Sequence, residues 1–200
     1  MKFLELNKKR HAIKHFNDKV VDPKDIRTAI EIATLAPSAH NVQPWKFVVV
    51  SEKKEDLAAI SYGDNVDQIK SAPYSIVIFS DTDLKLRSRK IARIGSKSLT
   101  EEKLQYYMQN LPAEFDRFTE QQKSDYLALN TGLVAMNLVM ALTDQGLASN
   151  MILGFDKGKA NEVLEIDSRF RPELIVTVGY TDEKVEPSYR LPVDNLIEKR

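Results

Sequence analysis

The chain has 200 residues, 42% of them hydrophobic, which is enough to build one domain with a substantial core. Its 29 Lys and Arg residues equal its 29 Asp and Glu residues, so no overall field would draw it to nucleic acid or to an anionic membrane. The absence of cysteine excludes disulfides, thiolate metal sites and cysteine nucleophiles, and it fits a reducing compartment such as the cytoplasm.

The N-terminal half predicts helices and strands in alternation. Its first residues lack the apolar core of a secretory signal. Asp22 followed by Pro23 is typical of a helix start, because aspartate caps free backbone N–H groups and proline suits the first helical position. Together with apolar periodicity and β-branched runs, this predicts helices over residues 3–10, 23–36 and 52–60 and strands over residues 46–51 and 75–80.

The C-terminal half predicts one unusually apolar helix. Residues 124–145 carry apolar side chains on nearly every side, which is typical of a helix at a domain centre or in a subunit interface. Its apolar run, Leu133–Leu142, is too short to span a bilayer. The remaining predicted elements are exposed helices over 83–123, strands over 148–153 and 174–180, a helix over 157–164 and a tail over 186–200 with little core signal. Strands separated by helices favour a single α+β or α/β domain.

A basic segment follows the first helix. If residues 10–14 are extended, then Arg10, Ala12 and Lys14 point to the same side, because side chains alternate in a strand. Two cations flanking a small residue would suit a phosphorylated ligand. The alternative is a solvated basic turn whose cations offset the helix dipole. His11 and His15 have the spacing of two ligands on a helix face, but no carboxylate pattern completes a metal site, so we predict none.

The loop over residues 37–45 is polar and framed by two prolines. Ser38, Asn41 and Gln43 supply donors and acceptors that could read the polar edge of a planar ring, and Trp45 offers a flat apolar wall. The alternative is an ordinary helix–strand connection with a packed tryptophan. From the residues alone, both interpretations remain open.

Three further features could contact a ligand. Asn65 and Gln68 would share one face of a helix and present two carboxamides. Gly154, at a strand end, would let the backbone approach a ligand closely. Arg190, between two prolines, could complete a phosphate clamp. Each also has an ordinary structural interpretation: surface amides, a strand end before a helix cap, and a solvated arginine.

In their order and spacing, these segments resemble the nitroreductase family of flavoproteins, particularly its compact bacterial members. The resemblance extends from about residue 3 to residue 192. It rests on residues 10–16 (RHAIKHF), residues 37–45 (PSAHNVQPW), Asn65 with Gln68, residues 153–155 (LGF) and residues 190–192 (RLP).

The resemblance implies FMN as cofactor. The residues that it assigns to FMN binding are Arg10, His11, Ala12, Lys14, Pro37, Ser38, Ala39, Asn41, Gln43, Asn65, Gln68, Leu153, Gly154, Ser188 and Arg190. Arginines 10 and 190 would bind the phosphate with help from Ser188 and His11. Lys14 would lie near flavin N1 and O2 and support the reduced ring. The amides of Asn65 and Gln68 would hold the pyrimidine side, and backbone N–H groups at 153 and 154 would face N5.

The resemblance also implies an α+β fold with a central mixed, mostly antiparallel sheet flanked by helices, in an intertwined homodimer. The whole chain, 1–200, would form one FMN-binding domain, with residues 186–200 as an arm on the partner subunit. The loop over 37–43 would close the partner's FMN site. Three positions depart from the pattern common in relatives. Ala12 replaces a serine, and Ser188 stands where some have lysine, so each of these departures weakens the phosphate clamp. Leu153 stands where some have glutamate or glycine, but that contact is made through the backbone.

The implied activity is electron transfer from NAD(P)H through flavin N5 to nitroaromatic, quinone or similar oxidised acceptors, by a ping-pong mechanism. No catalytic acid, base or nucleophile is required. We assign Tyr106 and Phe115 to the substrate on their aromatic character and position. Three alternatives stay open: a non-catalytic FMN-binding or storage protein, a helical interaction module with no cofactor, and a different reduction, such as that of an enone or a halogenated compound, on the same scaffold.

Overall fold

A computed structural model of the protein describes residues 2–200. Its four strands are β1 (Trp45–Val50), β2 (Tyr74–Asp81), β3 (Ala148–Ile152) and β4 (Phe170–Gly179). They form one sheet in the order β1-β2-β4-β3, and each neighbouring pair is antiparallel. A single parallel bridge joins Ala12 to Ser149 on the outer edge of β3. The sheet is therefore antiparallel except at this bridge, and β1 and β3 are its edge strands.

Nine helices surround the sheet within the described residues. They are α1 (Phe3–Lys9), α2 (Pro23–Ala33), α3 (Lys54–Ala59), α4 (Asn65–Ser71), α5 (Leu84–Gly95), α6 (Glu101–Gln105), α7 (Leu111–Phe115), α8 (Glu120–Asp144) and α9 (Lys157–Val163). Asp22 caps α2 as the sequence predicts, by accepting a hydrogen bond from the N–H of Lys24. The long helix α8 begins four residues before the predicted start, because Thr119 and Gln122 form a reciprocal capping box there.

The sheet is covered on both faces. Successive residues of β2 point to opposite sides, so Ile76 and Ile78 pack with α2 and α8, while Val77 and Phe79 pack against α3 and α9. All four side chains are fully buried. This arrangement is an α+β domain, and it leaves the ends and edges of the strands as the places where a ligand can reach the backbone.

Helix α8 is buried on one side only. Leu138 and Leu142 lie in the main core, whereas Leu129, Leu133 and Met136 are exposed. By length and composition α8 could cross a membrane, but 61% of its most apolar window is buried in the protein, as in any core helix. The exposed apolar side of α8 is not covered by any other part of the described chain.

Residues 83–123 depart from the prediction of exposed helices. Helices α5, α6 and α7 and a π-helical turn, Tyr106–Asn110, build a small core of their own. Tyr107, Leu111 and Phe115 are buried in it and pack near Leu127 of α8. The prediction was wrong because the many charged residues of this segment, which lie on its outer face, made the whole segment look exposed. The apolar residues that form the small core are few and were not recognised in the sequence.

Candidate functional site

The basic segment lies along the open edge of β3. The N–H of Ile13 donates to the carbonyl of Ser149 over 3.1 Å, next to the parallel bridge at Ala12. The segment is thus extended here, as the alternation of Arg10, Ala12 and Lys14 requires. Within residues 2–200, the side chains of Arg10 and Lys14 have no hydrogen-bond or ion-pair partner. Their positive charges are therefore available to a ligand.

Glu183 fixes the end of this segment. One carboxylate oxygen accepts the backbone N–H groups of both Lys14 and His15, each over 3.2 Å. The backbone of residue 14 is thereby held while its side chain stays exposed. Within residues 2–200 no ion pair joins Glu183 to the Lys14 side chain.

Helix α4 brings the two predicted carboxamides to the same end of the sheet. The side-chain N–H of Asn65 donates to the carbonyl of Gly154 over 3.0 Å, and Asn150 of β3 donates to Gln68 over 2.5 Å. The two amides share the face of α4 that points toward β3, as their spacing predicts. Because Asn65 must turn its N–H group to the Gly154 carbonyl, its oxygen is the atom left to accept from a ligand.

The chain just after β3 offers free donors. Neither Leu153 nor Gly154 donates its backbone N–H to an acceptor within residues 2–200, and the side-chain N–H groups of Gln68 also make no hydrogen bond there. Unpaired amide donors are costly if buried and are normally satisfied. Three donor groups left open at the end of β3, with two unpaired cations along its edge, describe a site for an anionic, acceptor-rich ligand.

Gly154 leaves room for the side chain of Asn65. A Cβ atom at this position would lie 2.7 Å from the side-chain nitrogen of Asn65, closer than non-bonded atoms approach. The glycine therefore permits the Asn65 hydrogen bond as well as close access to the backbone.

The loop over residues 37–43 lies elsewhere, against α8. Its polar residues His40, Asn41 and Gln43 have positive φ values of 54°, 51° and 48°. Such conformations cost on the order of 1 kcal/mol or more each outside glycine. Among residues 2–200, no hydrogen bond or ion pair joins this loop to the basic segment or to Asn65, Gln68 and residues 153–154.

The last predicted site residues lie on an exposed tail. Every residue from 186 to 200 is exposed, and all hydrogen bonds of this stretch within the described chain stay inside it. The guanidinium of Arg190 donates only to the carbonyls of Ser188 and Tyr189. The structure does not bring Ser188 and Arg190 to Arg10 of the same chain.

Comparisons with known proteins identify the chain. The family model described as the Nitroreductase family matches residues 8–180. A Streptococcus pyogenes protein, provisionally named as an NAD(P)H nitroreductase, is 66% identical over 200 residues that cover 100% of both chains. The chain belongs to the nitroreductase family.

Solved structures agree. A crystal structure of a nitroreductase family protein from Streptococcus pneumoniae TIGR4 is 74% identical, covers 100% of each chain and superposes with a TM-score of 0.98. A second, a provisionally named nitroreductase from Exiguobacterium sibiricum in complex with FMN, is 24% identical, covers 100% of this chain and 98% of its own, and has a TM-score of 0.91. The predicted nitroreductase-like α+β fold is confirmed.

The two residues assigned to the substrate occupy different environments. Tyr106 is half-buried, and its hydroxyl is hydrogen-bonded to Nδ1 of His40 at 2.8 Å. Phe115 is buried and packs edge-on against Phe118 and Tyr126. Tyr106 thus lies beside the 37–43 loop, whereas Phe115 has a packing role, and a contact of either with substrate stays a prediction.

Sequence reasoning missed the residues that hold the site residues in place. Asn150 and Glu183 fix Gln68 and the Lys14 backbone, and Asn130 of α8 accepts the N–H of Ala39 over 2.8 Å. Only Asn130 carried a signal: a polar residue on the otherwise buried face of an apolar helix, which must find a partner. Nothing in the sequence around Asn150 or Glu183 indicates their partners, which are distant along the chain.

We predict that Gly154→Ala lowers the free energy of unfolding by about 1 kcal/mol, because the new methyl group displaces the Asn65 amide from its carbonyl. Urea unfolding of Gly154→Ala, Asn65→Ala and the double variant would measure the coupling. In the Asn65→Ala background the glycine substitution should cost much less. An equal cost in both backgrounds would show that the clash with Asn65 is not the reason for the glycine.

Proposed function

We propose that the protein is an FMN-dependent oxidoreductase that takes electrons from NAD(P)H and reduces nitroaromatic, quinone or similar organic acceptors by a ping-pong mechanism. The observation that carries the proposal is the convergence of unpaired cations and free amide donors at the edge and end of β3. The names of the Streptococcus pyogenes relative and of the FMN-bound structure support it. We place this activity in the cytoplasm.

The residues present fit FMN chemically. FMN carries a phosphate, a pyrimidine edge with both donors and acceptors, and a ring nitrogen, N5, that can accept a hydrogen bond. Arg10 supplies a planar fork for the phosphate. The free oxygen of Asn65 suits a ring N–H, and the free N–H of Gln68 suits a ring carbonyl. The open backbone N–H groups of Leu153 and Gly154 suit N5.

Bound FMN would supply two-electron transfer between the nicotinamide and the acceptor. The protein's task is to bind, orient and provide charge. Lys14 holds an unpaired positive charge on a backbone anchored by Glu183, and it would stabilise negative charge on a reduced ring. Among the described residues, no group of three or more His, Asp and Glu side chains converges on a metal ion, and the proposal uses none.

We further propose that the active unit is a homodimer. An apolar groove of about 620 Å³ lies between α1, α2 and α8, and it is lined by the exposed side chains of Phe3, Leu35, Leu133 and Met136. A contiguous exposed apolar surface of this kind marks an interaction site. A second copy of the chain would cover it and bring its 37–43 loop, with Pro37, Ser38, Ala39, Asn41 and Gln43, to the FMN.

The exposed arm supports the same proposal. Residues 186–200 carry Tyr189, Leu191, Val193, Leu196 and Ile197, all exposed and with no core of their own. Docking on the second copy would bury these side chains. It would also give Ser188 and Arg190 a place in the phosphate clamp that the isolated chain does not provide.

The primary test is cofactor binding. Purified protein should be yellow, bind one FMN per chain and oxidise NADPH or NADH when a nitroaromatic or a quinone is added, because the site offers the donors and charges that FMN needs. Fluorescence titration and steady-state assays measure both. Binding without turnover of nitroaromatics, quinones or enones would favour a storage protein, and a colourless protein that binds no FMN would refute the proposal.

Replacing Lys14 separates charge stabilisation from binding. Lys14→Ala should slow flavin reduction by NADPH about tenfold while changing FMN affinity less, because the charge acts most on the reduced ring. Stopped-flow absorbance gives the rate. The matched control is Lys90→Ala, an exposed lysine of α5, which should behave as wild type. Losses of affinity and rate in equal proportion would contradict this role.

A charge in the groove tests the dimer. Met136→Glu places a carboxylate on the exposed apolar face of α8, and burying it in an interface would be costly. Analytical ultracentrifugation should show a monomer that binds FMN weakly. Ile94→Glu makes the same change on α5 outside the groove and should leave the dimer intact. A dimeric, fully FMN-loaded Met136→Glu protein would place the interface elsewhere.

A further inference from the structure

The backbone of residues 38–44 is held by a set of hydrogen bonds, which we call the brace. Every backbone carbonyl from 38 to 44 accepts a hydrogen bond, although the segment is neither a strand nor an α-helix. Three of these bonds lie within the loop: two backbone bonds, from Asn41 to Ser38 and from Val42 to Ala39, and one from the Gln43 side chain to the Asn41 carbonyl. The others come mainly from side chains of distant elements, so the loop conformation is imposed by its surroundings.

Two tyrosine hydroxyls hold the strained part. The hydroxyl of Tyr126, on α8, donates to the carbonyl of Ala39 over 2.8 Å, and that of Tyr107 donates to the carbonyl of His40 over 2.9 Å. We refer to Tyr107 and Tyr126 as the hydroxyl clamp. Burial raises the pKa of Tyr126, so this hydroxyl stays protonated and able to donate at physiological pH. The clamp acts on the two peptide units that flank the first residue with positive φ, His40.

Two further groups complete the brace. The Oδ1 atom of Asn130 accepts the N–H of Ala39 over 2.8 Å, and the guanidinium of Arg87 donates to the carbonyls of Val42 and Gln43 over 3.2 and 2.5 Å. Burial lowers the pKa of Arg87, opposed by nearby Asp81, yet the guanidinium remains charged at neutral pH. The loop is thus fixed from α5, α8 and the turn before α7.

The brace leaves particular groups facing outward. The side-chain N–H groups of Asn41 and the backbone N–H of His40 make no hydrogen bond within the described residues, and both residues are exposed. Glycine would adopt the same backbone without strain, but the chain has polar side chains here. Strain that surrounding structure maintains is typical of functional segments, where it fixes a recognition geometry in advance.

We propose that Tyr107 and Tyr126, the hydroxyl clamp, are positioning residues. They hold the 37–43 loop in the shape in which it closes the cofactor site of the second copy. This inference rests on the proposed function. Preformed recognition elements bind more tightly because less conformational freedom is lost on binding. Releasing the clamp should therefore weaken FMN binding without altering the reaction of FMN that is already bound.

The test removes only the two hydroxyls. In the Tyr107→Phe/Tyr126→Phe variant, the amide protons of residues 41–43 should exchange with solvent at least tenfold faster than in wild type. The Kd for FMN should rise about tenfold, equivalent to about 1.4 kcal/mol. At saturating FMN, kcat should stay within about twofold, as in the control variant. Tyr74→Phe, which removes a hydroxyl with no hydrogen-bond partner in residues 2–200, is that control.

The outcomes are distinguishable. Unchanged exchange in the double variant would show that the hydroxyls do not hold the loop. Faster exchange with an unchanged Kd for FMN would show that the loop is not part of the cofactor site. Either result overturns the inference. A lowered kcat and Tm with an unchanged Kd would indicate general destabilisation and would overturn it too. Wild-type protein that binds no FMN would contradict the proposed function itself, while the exchange rates would still report on the clamp.

Discussion

The pairing of the basic segment with the open edge of β3 is the contact on which the candidate site depends. An edge strand exposes unpaired N–H and C=O groups, and here the hydrogen bond from Ile13 to Ser149 uses part of that edge. The pairing places Arg10 and Lys14 beside the strand whose far end carries Leu153 and Gly154. Helix α4 then brings its amides to the same strand through Asn150 and Gly154. Strand β3 thus positions the basic side chains, the amides of α4 and the free backbone N–H groups that follow the strand.

The second constraint is the separation of this region from the 37–43 loop. The loop is fixed to α5 and α8 and has no hydrogen bond to the basic segment within residues 2–200. One proposal explains four features: the two polar regions, the apolar groove along α8 and the arm without a core. Each would be half of a contact that a second copy of the chain completes. The dimer is our proposal.

Much of the fold follows from local signals in the sequence. The Asp22–Pro23 start, the β-branched strands and the apolar α8 were predictable because each depends on neighbouring residues. The core formed by residues 83–123 was not predicted, because its charged outer surface hides a short apolar stripe. The site residues could be named from motif resemblance. The residues that hold them, Glu183 and Asn150, could not, because their partners are distant in sequence and only the fold brings them together.

The central claim is that each cofactor site is built from two chains, and mixed dimers test it directly. Arg10→Glu disables the basic segment and Asn41→Glu disables the loop, so each homodimer should bind little FMN. Co-expression with two affinity tags isolates the heterodimer, in which one site contains both defects and the other contains neither. We predict that the heterodimer binds one FMN and has about half of the wild-type activity. A heterodimer without FMN would show that each chain builds its site alone and would contradict the account.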